Sequence, residues 1–475
     1  MKKRIAFIAA LAVAFAMTLG ACTGTPEDSE APAETGTAAE TGTAAETEVA
    51  EELSSYDQLM KLLENPESAL ALSGLQPKSY ESRGDIPKGL PVAPKDVKDL
   101  KVAWAASQLG STFFEGLRDS AQAEAKKLGM NEIILQSADL SLDTQNEQID
   151  NFVTMGIDAL ILNAVDLHAQ AQKIKEVTDK GIPVLVTGPT AARPEYQMVT
   201  AIISGSNESG FQSGQYTAGK LHKKGEVQKV GFVIAKLEDA DSNSRPCGWI
   251  AGYLSKAAEM DGNPYESKYD AILESFNIWS EFKDKRKYDI SEKGLNLAWI
   301  GVGEGLDVAK GQAATADQLT GNPDTNIIVA EMGSMSYGVI QECKQQGKTP
   351  GTDIYVATCA DGAREELDYI RRGELMVTAT NIPFMPATTM VDIIYDLFVG
   401  GREGAPADAN TPEKASVYYS DLPATSFTPT FAITAENVDK YYPTAPESQV
   451  ESTFATYDPW TPLSISGYNE FHKND

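Results

Sequence analysis

From Leu100 onward, short apolar runs alternate with segments of helical pattern, and this rhythm constrains the fold more than any other feature. The first unit begins with the strand LKVAWAA, the helix TFFEGLRDSAQAEAKKLG closed by Gly129, and the strand EIILQSA. It continues with DALILNA and IPVLVTG, each after a helical stretch, and with MVTAIISGSN. Strands that alternate with helices of about 10 to 15 residues predict right-handed crossovers and a parallel sheet covered on both faces.

A second unit repeats the pattern after the helix ESGFQSGQYTAGKLHKKG. Its predicted strands are KVGFVIA, AILESF, NIIVAEM, DIYVATCA and ELMVTATNI. Residues 284–308 interrupt the series and are predicted to be an insertion. The sequence therefore predicts an α/β protein with two doubly wound parallel-sheet lobes.

Composition limits the class of partner. The chain has 475 residues, of which 42% are hydrophobic and 23% charged, as in soluble globular proteins with room for two domains. Its 40 Lys and Arg against 68 Asp and Glu give a formal charge of -28. Because nucleic-acid binders carry a basic face, we expect no nucleic-acid partner.

The first residues have the pattern of a secretory signal. MKKR is followed by an apolar run, Ile5 to Leu19, that is too short to span a membrane comfortably. The ending LGAC resembles the lipobox of bacterial lipoproteins, in which the cysteine is lipidated and becomes the mature N-terminus. The resemblance implies a signal peptide at 1–21 and an extracytoplasmic protein anchored to the membrane through Cys22. A signal peptide without lipidation is the alternative.

Two segments separate Cys22 from the α/β units. Residues 22–52 consist mainly of Thr, Ala, Glu, Gly and Pro, with TGTAAE occurring twice, which predicts a disordered acidic tether. Residues 53–98 contain one amphipathic helical pattern, YDQLMKLLENPESALAL, and form an N-terminal extension to which the sequence assigns no function.

Neither a metal site nor a catalytic centre is predicted. The remaining cysteines, Cys247, Cys343 and Cys359, and the three histidines, His168, His222 and His472, are scattered along the chain. GQYTAGKL has Leu221 where a P-loop needs Ser or Thr, DADSNSRPCGWI lacks two essential positions of a calcium loop, and GVGEGL lacks the third glycine of a dinucleotide fingerprint. We expect a protein without cofactors that is not an enzyme.

Candidate binding residues follow the predicted strands. Ligands of open parallel sheets bind outside the carboxyl ends of the strands, so unusual side chains at those ends are candidates. These are Ser111, Phe113, Phe114, Asn163 and Gly188 in the first unit and Arg245, Trp279, Met332, Asp361 and Asn381 in the second. Aromatic faces with amide, guanidinium and carboxylate groups suit a hydroxyl-rich small molecule. Position alone is equally compatible with other roles: Trp279 as a core residue, Arg245 in a surface ion pair and Asn381 as a helix cap.

The run from Leu100 to about Pro443 resembles the periplasmic sugar-binding proteins of ABC importers, in the type I group that contains the ribose-binding protein. FFEGLRDSAQAEAKKLG, QIDNFVTMGIDALILNAVD, KGIPVLV, ADGAREELDYIRRGEL and the ending FAITAENVDKYYP carry the resemblance. It implies two lobes joined by three chain crossings, with the ligand between them and hinge closure on binding. The implied lobes comprise residues 99–204 with 382–410 and residues 205–381 with 411–445, followed by a tail at 446–475.

The resemblance also implies residue roles. Phe113 and Phe114 match the aromatic pair that grips the sugar, and Trp279 falls at an aromatic position facing the cleft. Asn163 matches the asparagine of the LILNAVD run, and Arg245 matches the arginine that begins the first helix of the second lobe. Asp361 matches an aspartate that binds sugar hydroxyls. Gly188-Pro189, Met332-Gly333 and Asn381 stand where ribose binders have Asp-Arg, Asn-Asp and glutamine, which favours a ligand other than ribose.

The two adjacent phenylalanines have different helical positions. Thr112 and Glu115 have the spacing of a capping box, which places the helix start just before the pair. Phe114 is in step with Leu117 and the buried stripe, whereas Phe113 lies outside it. We therefore expect Phe113 to be the dedicated stacking surface and Phe114 to serve both core and ligand.

The leading interpretation is a monomeric, lipid-anchored solute-binding protein that delivers a sugar or similar polar molecule to an ABC permease. The alternative is a sensory binding protein that presents such a ligand to a chemoreceptor or a sensor kinase. An extracytoplasmic hydrolase is disfavoured, since no catalytic constellation is visible. A transcriptional repressor of the same fold is disfavoured because a signal and tether occupy the place of a DNA-binding headpiece.

Overall fold

A computed structural model describes residues 53–75, 93–110, 112–188, 197–400, 425–428 and 430–441. All of them belong to one unit that begins at Leu53. The predicted signal peptide, Cys22, the tether at 22–52 and the tail at 446–475 lie outside the described residues. Within the described ranges, no helix has both the length and the apolar character needed to cross a membrane.

The described strands and helices alternate along the chain. The strands are β1 (Val102–Ala106), β2 (Ile134–Ser137), β3 (Ala159–Asn163), β4 (Val184–Gly188), β5 (Thr200–Ser204), β6 (Gln228–Ile234), β7 (Tyr288–Ile290), β8 (Leu295–Val302), β9 (Ile327–Ala330), β10 (Tyr355–Thr358), β11 (Val377–Ala379), β12 (Thr425–Thr428) and β13 (Ala432–Thr434). The helices are α1 (Ser55–Leu63), α2 (Pro66–Ala71), α3 (Thr112–Lys127), α4 (Leu142–Thr154), α5 (Ala171–Thr178), α6 (Ser206–Leu221), α7 (Ala240–Met260), α8 (Lys268–Lys285), α9 (Val308–Gly321), α10 (Gly333–Gln345), α11 (Arg364–Arg371), α12 (Phe384–Phe398) and α13 (Val438–Tyr441).

The strands form two sheets, each the centre of one lobe. The N-terminal lobe has six strands in the order β12-β5-β4-β3-β1-β2, all parallel to their neighbours. The C-terminal lobe has seven in the order β13-β11-β10-β9-β6-β8-β7, with β13 and β7 antiparallel at the two edges. Apolar clusters cover both faces of each sheet, as the continuous apolar strands predict. The predicted α/β fold with two parallel-sheet lobes is confirmed.

Two sequence predictions for the second lobe were wrong. AILESF is not a strand but part of α8, which begins with a capping box formed by Ser267 and Asp270. Ile272, Phe276 and Trp279 recur at helical spacing and are all buried. The strand expected there is β8, which pairs with β6 and lies within residues 284–308. Those residues are therefore part of the sheet and not an insertion.

Helices α6 and α7 pack so closely that their backbones are in contact, which is possible because glycines lie at the contact positions. A Cβ on Gly210 would lie 2.0 Å from the carbonyl oxygen of Arg245, and one on Gly248 would lie 2.0 Å from that of Asn207. Gly214, the first glycine of the P-loop-like GQYTAGKL, faces Trp249 in the same way. Gly214 of this motif thus serves helix packing, and α7 packs closely against the start of α6.

The chain passes between the two sheets at three described places. It leaves β5 of the N-terminal lobe for α6, returns after β11 to α12, and crosses again from β12 to β13. Helix α12 packs in the N-terminal lobe against α3, in the cluster that contains Trp104. The predicted boundary at residue 411 does not fit, because β12 pairs with β5 and the last crossing comes after Thr428. A short edge strand of four residues carries too little pattern to reveal its sheet.

The N-terminal extension divides between the two lobes. Helices α1 and α2 contribute Leu59 and Leu72 to the core of the C-terminal lobe, and both side chains are fully buried. Residues 93–99 lie instead on the N-terminal lobe, where Lys95 pairs with Asp158 at 2.6 Å. The backbone N–H of Lys95 also donates to the carbonyl of Phe398 at 2.8 Å. The two described parts of the extension are therefore part of the folded protein, one on each lobe.

Candidate functional site

Arg245 and Asp361 lie near each other in the C-terminal lobe, as a shared binding role requires. Arg245 is in the second turn of α7, Asp361 follows β10, and each is only 3% exposed. Arg245 Nη2 lies 3.3 Å from Asp241 Oδ2, and Nη1 donates to the carbonyl of Glu331 at 3.4 Å. Burial by itself lowers the pKa of Arg245, but the neighbouring carboxylates, Asp241 first and Asp361 next, raise it above its ordinary value.

Asp361 has an uncommon backbone conformation, and one of its carboxylate oxygens makes no hydrogen bond within the described residues. Its φ is 97°, which is uncommon for a residue with a side chain and is typical of strained positions at functional sites. Oδ2 accepts from the backbone N–H of Gly333 at 3.0 Å, while Oδ1 has no hydrogen-bond partner in the described part of the chain. Burial raises the pKa of Asp361 to about 6, although Arg245 counteracts this. At neutral pH, a buried and mostly ionised carboxylate oxygen remains available to a ligand.

Asn381 joins this pair from the end of β11. Its backbone N–H donates to the carbonyl of Asp361 at 3.3 Å, and the residue is 5% exposed. Among the described residues, neither Asn381 Oδ1 nor Arg245 Nε has a hydrogen-bond partner. Buried polar atoms are normally paired, and leaving one unpaired costs about 1 to 3 kcal/mol. The three predicted residues together present two free acceptors and one free donor.

Sequence reasoning missed Glu331 and Asp241, which support Arg245. Glu331 directly follows β9, is 1% exposed, and its Oε2 accepts from the N–H of Ala235 at the end of β6 at 3.0 Å. Burial and the nearby Asp239 raise the pKa of Glu331 to about 8, so its side chain is mainly protonated at neutral pH. Asp241 lies one helical turn before Arg245, and this i,i+4 spacing is the signal that could have identified it.

Asn163 lies where predicted, at the carboxyl end of β3, and its side chain connects three strands of the N-terminal lobe. Oδ1 accepts from the N–H of Ser107 at 3.3 Å and also from the Ser107 hydroxyl, at the end of β1. Nδ2 donates to the carbonyl of Thr187 in β4 at 3.1 Å. Ser107 was missed, although it directly follows β1. Asn163 thus braces the strand ends, which leaves its side chain less free to bind a ligand than that of Asp361.

The aromatic pair lies at the start of α3, on the same lobe. The rings of Phe113 and Phe114 are 5.5 Å apart and nearly perpendicular, with an interplanar angle of 85°. Both are half-buried and pack against the core that contains Leu117, so burial does not separate their roles. The helix begins at Thr112, whose side chain lies outside the described residues, as does Ser111. A perpendicular pair can offer a flat ligand the face of one ring and the edge of the other.

Trp279 is not a cleft residue, which corrects the sequence interpretation. It lies in α8, is fully buried, and contacts Phe232 with ring centroids 5.7 Å apart. Its Nε1 donates to Asn243 Oδ1 at 3.0 Å. Asn243 in turn donates to the carbonyls of Leu237 and Asp239, which lie between β6 and α7. Trp279 therefore belongs to the core, from which it supports the segment leading to Arg245.

The residues that the structure describes contain no metal-binding cluster. No three of their His, Cys, Asp or Glu side chains are placed to hold a metal ion. The described cysteines, Cys247, Cys343 and Cys359, are buried and not disulfide-bonded. Burial raises the pKa of each thiol to about 12, so all three are protonated at neutral pH. Free polar atoms on Asp361, Arg245 and Asn381 in one lobe, and an aromatic pair at the start of α3 in the other, are features that suit the binding of a small polar ligand.

Comparison with known proteins identifies the family. The model of the family described as "Periplasmic binding protein domain" matches residues 102–402. The chain therefore belongs to this family, whose members are binding proteins and not enzymes.

Individual relatives are distant in sequence. The ribose import binding protein RbsB of Bacillus subtilis (strain 168) is 23% identical over 305 residues, which cover 64% of this chain and 84% of the relative. The D-galactose/methyl-galactoside binding periplasmic protein MglB of Haemophilus influenzae is 22% identical over 313 residues, covering 64% and 82%. Both relatives match most of their own length, so the similarity extends over both lobes.

Solved structures show the same fold. An ABC transporter solute binding protein from Bacillus halodurans with bound myo-inositol superposes with a TM-score of 0.54 at 20% identity, covering 73% of this chain and 99% of that one. A periplasmic solute binding protein from Actinobacillus succinogenes with bound D-allose gives a TM-score of 0.55 at 14% identity, covering 72% and 100%. At these identities the comparison establishes the two-lobed architecture.

Proposed function

We propose that this chain is an extracytoplasmic solute-binding protein, anchored by a lipid on Cys22, that captures a sugar or similar small polar molecule between its lobes for an ABC permease. The observation that carries the proposal is the set of free polar atoms in the C-terminal lobe, on Asp361 and Asn381 after two strands and on Arg245 in the second turn of α7. A sugar hydroxyl can donate to Asp361 Oδ1 or Asn381 Oδ1 and accept from Arg245 Nε. The phenylalanine pair on the other lobe supplies an apolar surface for the ring.

The relatives support the same class of ligand. Proteins whose names specify ribose and galactose, and structures that contain myo-inositol and D-allose, all share this fold. Asn381 and Met332 stand where ribose binders have glutamine and asparagine, and Met332 is buried without making a helix-capping hydrogen bond. We therefore expect a ligand that presents fewer hydroxyl groups to Asn381 and Met332 than ribose would.

Calorimetry with a panel of monosaccharides and myo-inositol tests the binding function. At least one compound should bind with a dissociation constant in the micromolar range or below, and it should also reduce the radius of gyration in solution scattering as the lobes close. Native mass spectrometry of the freshly purified protein should show the same compound bound. Absence of binding across the panel, together with an unliganded native mass, would contradict the proposal.

Replacement of Cys22 tests the membrane anchor separately. The wild-type protein should incorporate labelled fatty acid and sediment with membranes. C22S should lose the label and appear in the soluble extracytoplasmic fraction, while keeping the sugar affinity of wild type. Equal membrane association of both proteins would show that Cys22 is not the anchor.

A further inference from the structure

The hairpin of α1 and α2, residues 53–75, is an addition to the family domain, since the family match begins only at residue 102. It is nevertheless fully integrated into the C-terminal lobe. Leu59 and Leu72 are completely buried in its core, and Tyr56 contacts Tyr269 of α8 with ring centroids 5.0 Å apart. Asn65 caps α2 by accepting from the N–H of Glu67 at 2.9 Å. The hairpin is thus an ordered structural element.

The end of the hairpin contacts the first crossing between the lobes. The carbonyl of Ser73 accepts from the backbone N–H of Asn207 at 3.0 Å, directly after the chain leaves β5. Asn207 is fully buried, and its Nδ2 donates to the carbonyls of Ala71 at 3.4 Å and Ser244 at 3.5 Å. One side chain therefore connects the hairpin, the start of α6 and the second turn of α7.

This contact is adjacent to the candidate binding residues. Ser206, the neighbour of Asn207, donates its hydroxyl to Asp241, and Asp241 pairs with Arg245 at 3.3 Å. Ser244, which accepts from Asn207, is the residue before Arg245 in the chain. A shift of the hairpin would therefore change the position of Arg245 in two ways, through the contact of Ser206 with Asp241 and through Ser244.

Helix α6 also connects the first crossing to the third. Gln212 Nε2 donates to Glu208 Oε1 at 3.1 Å and to the carbonyl of Thr430, between β12 and β13, at 2.9 Å. The orientation of the α6 N-terminus thus affects two of the three chain segments that must bend when the lobes move. An element that fixes this N-terminus influences the hinge as a whole.

We propose that the α1–α2 hairpin is a hinge element that holds the start of α6 in place and thereby positions Asp241 and Arg245 for ligand binding. This rests on the proposed binding function. Its physical basis is pre-organisation, since groups that are already ordered lose less entropy when the ligand binds. A hairpin that only added buried apolar area would stabilise the C-terminal lobe uniformly and would not act preferentially on the crossing.

Gly74 offers a point substitution that separates these two roles. Its φ is +97°, and a Cβ there would lie 3.0 Å from the backbone nitrogen of Ser206 and 3.2 Å from the Cα of Gly205. G74A should therefore push the hairpin end away from the crossing. Gly225 has a similar φ of +85° but nothing within 4 Å, so G225A carries the same backbone strain without the contact. It is the matched control.

Amide hydrogen exchange of the whole, ligand-free chain is the first measurement. In G74A, we expect exchange at residues 206–210 to accelerate about tenfold, as the loss of roughly one hydrogen bond predicts, while strand β9 exchanges as in wild type. G225A should leave residues 206–210 unchanged. Uniform acceleration through β9, or no local change in G74A, would overturn the proposal. This measurement needs no ligand and is independent of the proposed function.

Affinity is the second measurement, made with whichever panel sugar binds wild type most tightly. G74A should weaken binding about tenfold and G225A by less than twofold, because only the former disturbs the pre-organised crossing. Equal affinity of G74A and wild type would remove the positioning role. If wild type binds none of the sugars, the proposed function is wrong, and the exchange result alone then decides whether the hairpin holds the crossing.

Discussion

The backbone N–H of Gly333 donates to Asp361 Oδ2 at 3.0 Å, so that the carboxylate is fixed by the start of α10 and its second oxygen stays free. A Cβ on Gly333 would lie 2.4 Å from the carboxyl carbon of Glu366, so a larger residue at this position would require the Glu366 side chain to move. Asp361 thus sits in a rigid frame and adopts a positive φ within it. Rigid positioning with one unused oxygen is what a binding carboxylate needs.

The first prediction concerns D361N. Asparagine tolerates positive φ and can still accept from Gly333, so the fold should be retained. Affinity for the bound sugar should fall about tenfold to a hundredfold, because a hydrogen bond to a charged acceptor contributes about 1.5 to 3 kcal/mol. Calorimetry measures the loss. D324N, at an exposed aspartate paired with Lys229, is the control and should bind as wild type; an unchanged affinity in D361N would remove Asp361 from the site.

The second prediction concerns the pH dependence of stability. Glu331 has an ordinary pKa of 4.5 and a folded pKa of about 8, so between these values the folded state holds a proton that the unfolded state has released. Its contribution to the free energy of unfolding is therefore greatest at low pH and is lost as the pH rises toward 8. E331Q cannot ionise and should lose less stability than wild type between pH 5 and pH 9.

Urea denaturation at several pH values tests this prediction. The difference between E331Q and wild type should grow in favour of the variant as pH rises, by at least about 1 kcal/mol in total, since one pKa unit corresponds to about 1.36 kcal/mol. The glutamine can still accept from the N–H of Ala235, so the variant should fold. Parallel pH profiles for the two proteins would mean that Glu331 is ionised in the folded state.

The third prediction separates core from site at Trp279. W279F leaves Asn243 Oδ1 without its donor, which should cost about 1 to 3 kcal/mol of stability in addition to the lost packing. Trp249 is the matched control, since it is fully buried, contacts the same Phe232 ring, and its Nε1 has no hydrogen-bond partner within the described chain. W249F should therefore cost less. Denaturation measures both changes.

Sugar affinity provides the second readout for the same variants. W279F should bind within about threefold of wild type, because Asn243 keeps its own donations to Leu237 and Asp239. If W279F loses most of its affinity while its stability is unchanged, Trp279 contacts the ligand and its assignment to the core is wrong.

The fold was largely predictable because a parallel sheet covered on both faces leaves a strong mark in the sequence. The strands β1, β3 and β4 are mainly apolar and almost completely buried, and β3 ends on Asn163. AILESF was misread because α8 buries residues on much of its circumference, so a short window shows an apolar run without clear helical period. This error placed Trp279 in the cleft and made β8, the second strand from one edge of the sheet, look like an insertion.

The site was predictable only where chemistry coincides with a strand end. Asp361 lies three residues after β10 and Asn381 two residues after β11, and their polar character was visible against the apolar runs. Glu331 also follows a strand, but it was passed over in favour of its neighbour Met332. The function of residues 53–75 could not be predicted from the sequence, because the residues that they contact, including Asn207 and Tyr269, are distant in the chain. Such contacts depend on the tertiary fold and have no local pattern.

The fourth prediction distinguishes the two phenylalanines. Their rings are perpendicular, so a flat sugar ring can stack on the face of only one of them. The sequence pattern places Phe114 nearer the centre of the buried stripe of α3 and Phe113 nearer its border, so Phe113 is our candidate for that face. F113L keeps most of the apolar volume but removes the aromatic surface, and should weaken sugar binding about tenfold, as a stacking contribution of about 1.5 kcal/mol implies.

F114L is the matched comparison one residue further along α3. Phe114 is in step with the buried stripe, so its replacement should lower the free energy of unfolding by about 1 kcal/mol and weaken binding less than F113L does. Calorimetry and urea denaturation of both variants give a two-by-two comparison of affinity and stability. The reverse pattern, with F114L losing the greater affinity, would assign the stacking face to Phe114 and show that helical phase is a poor guide at the first turn of a helix.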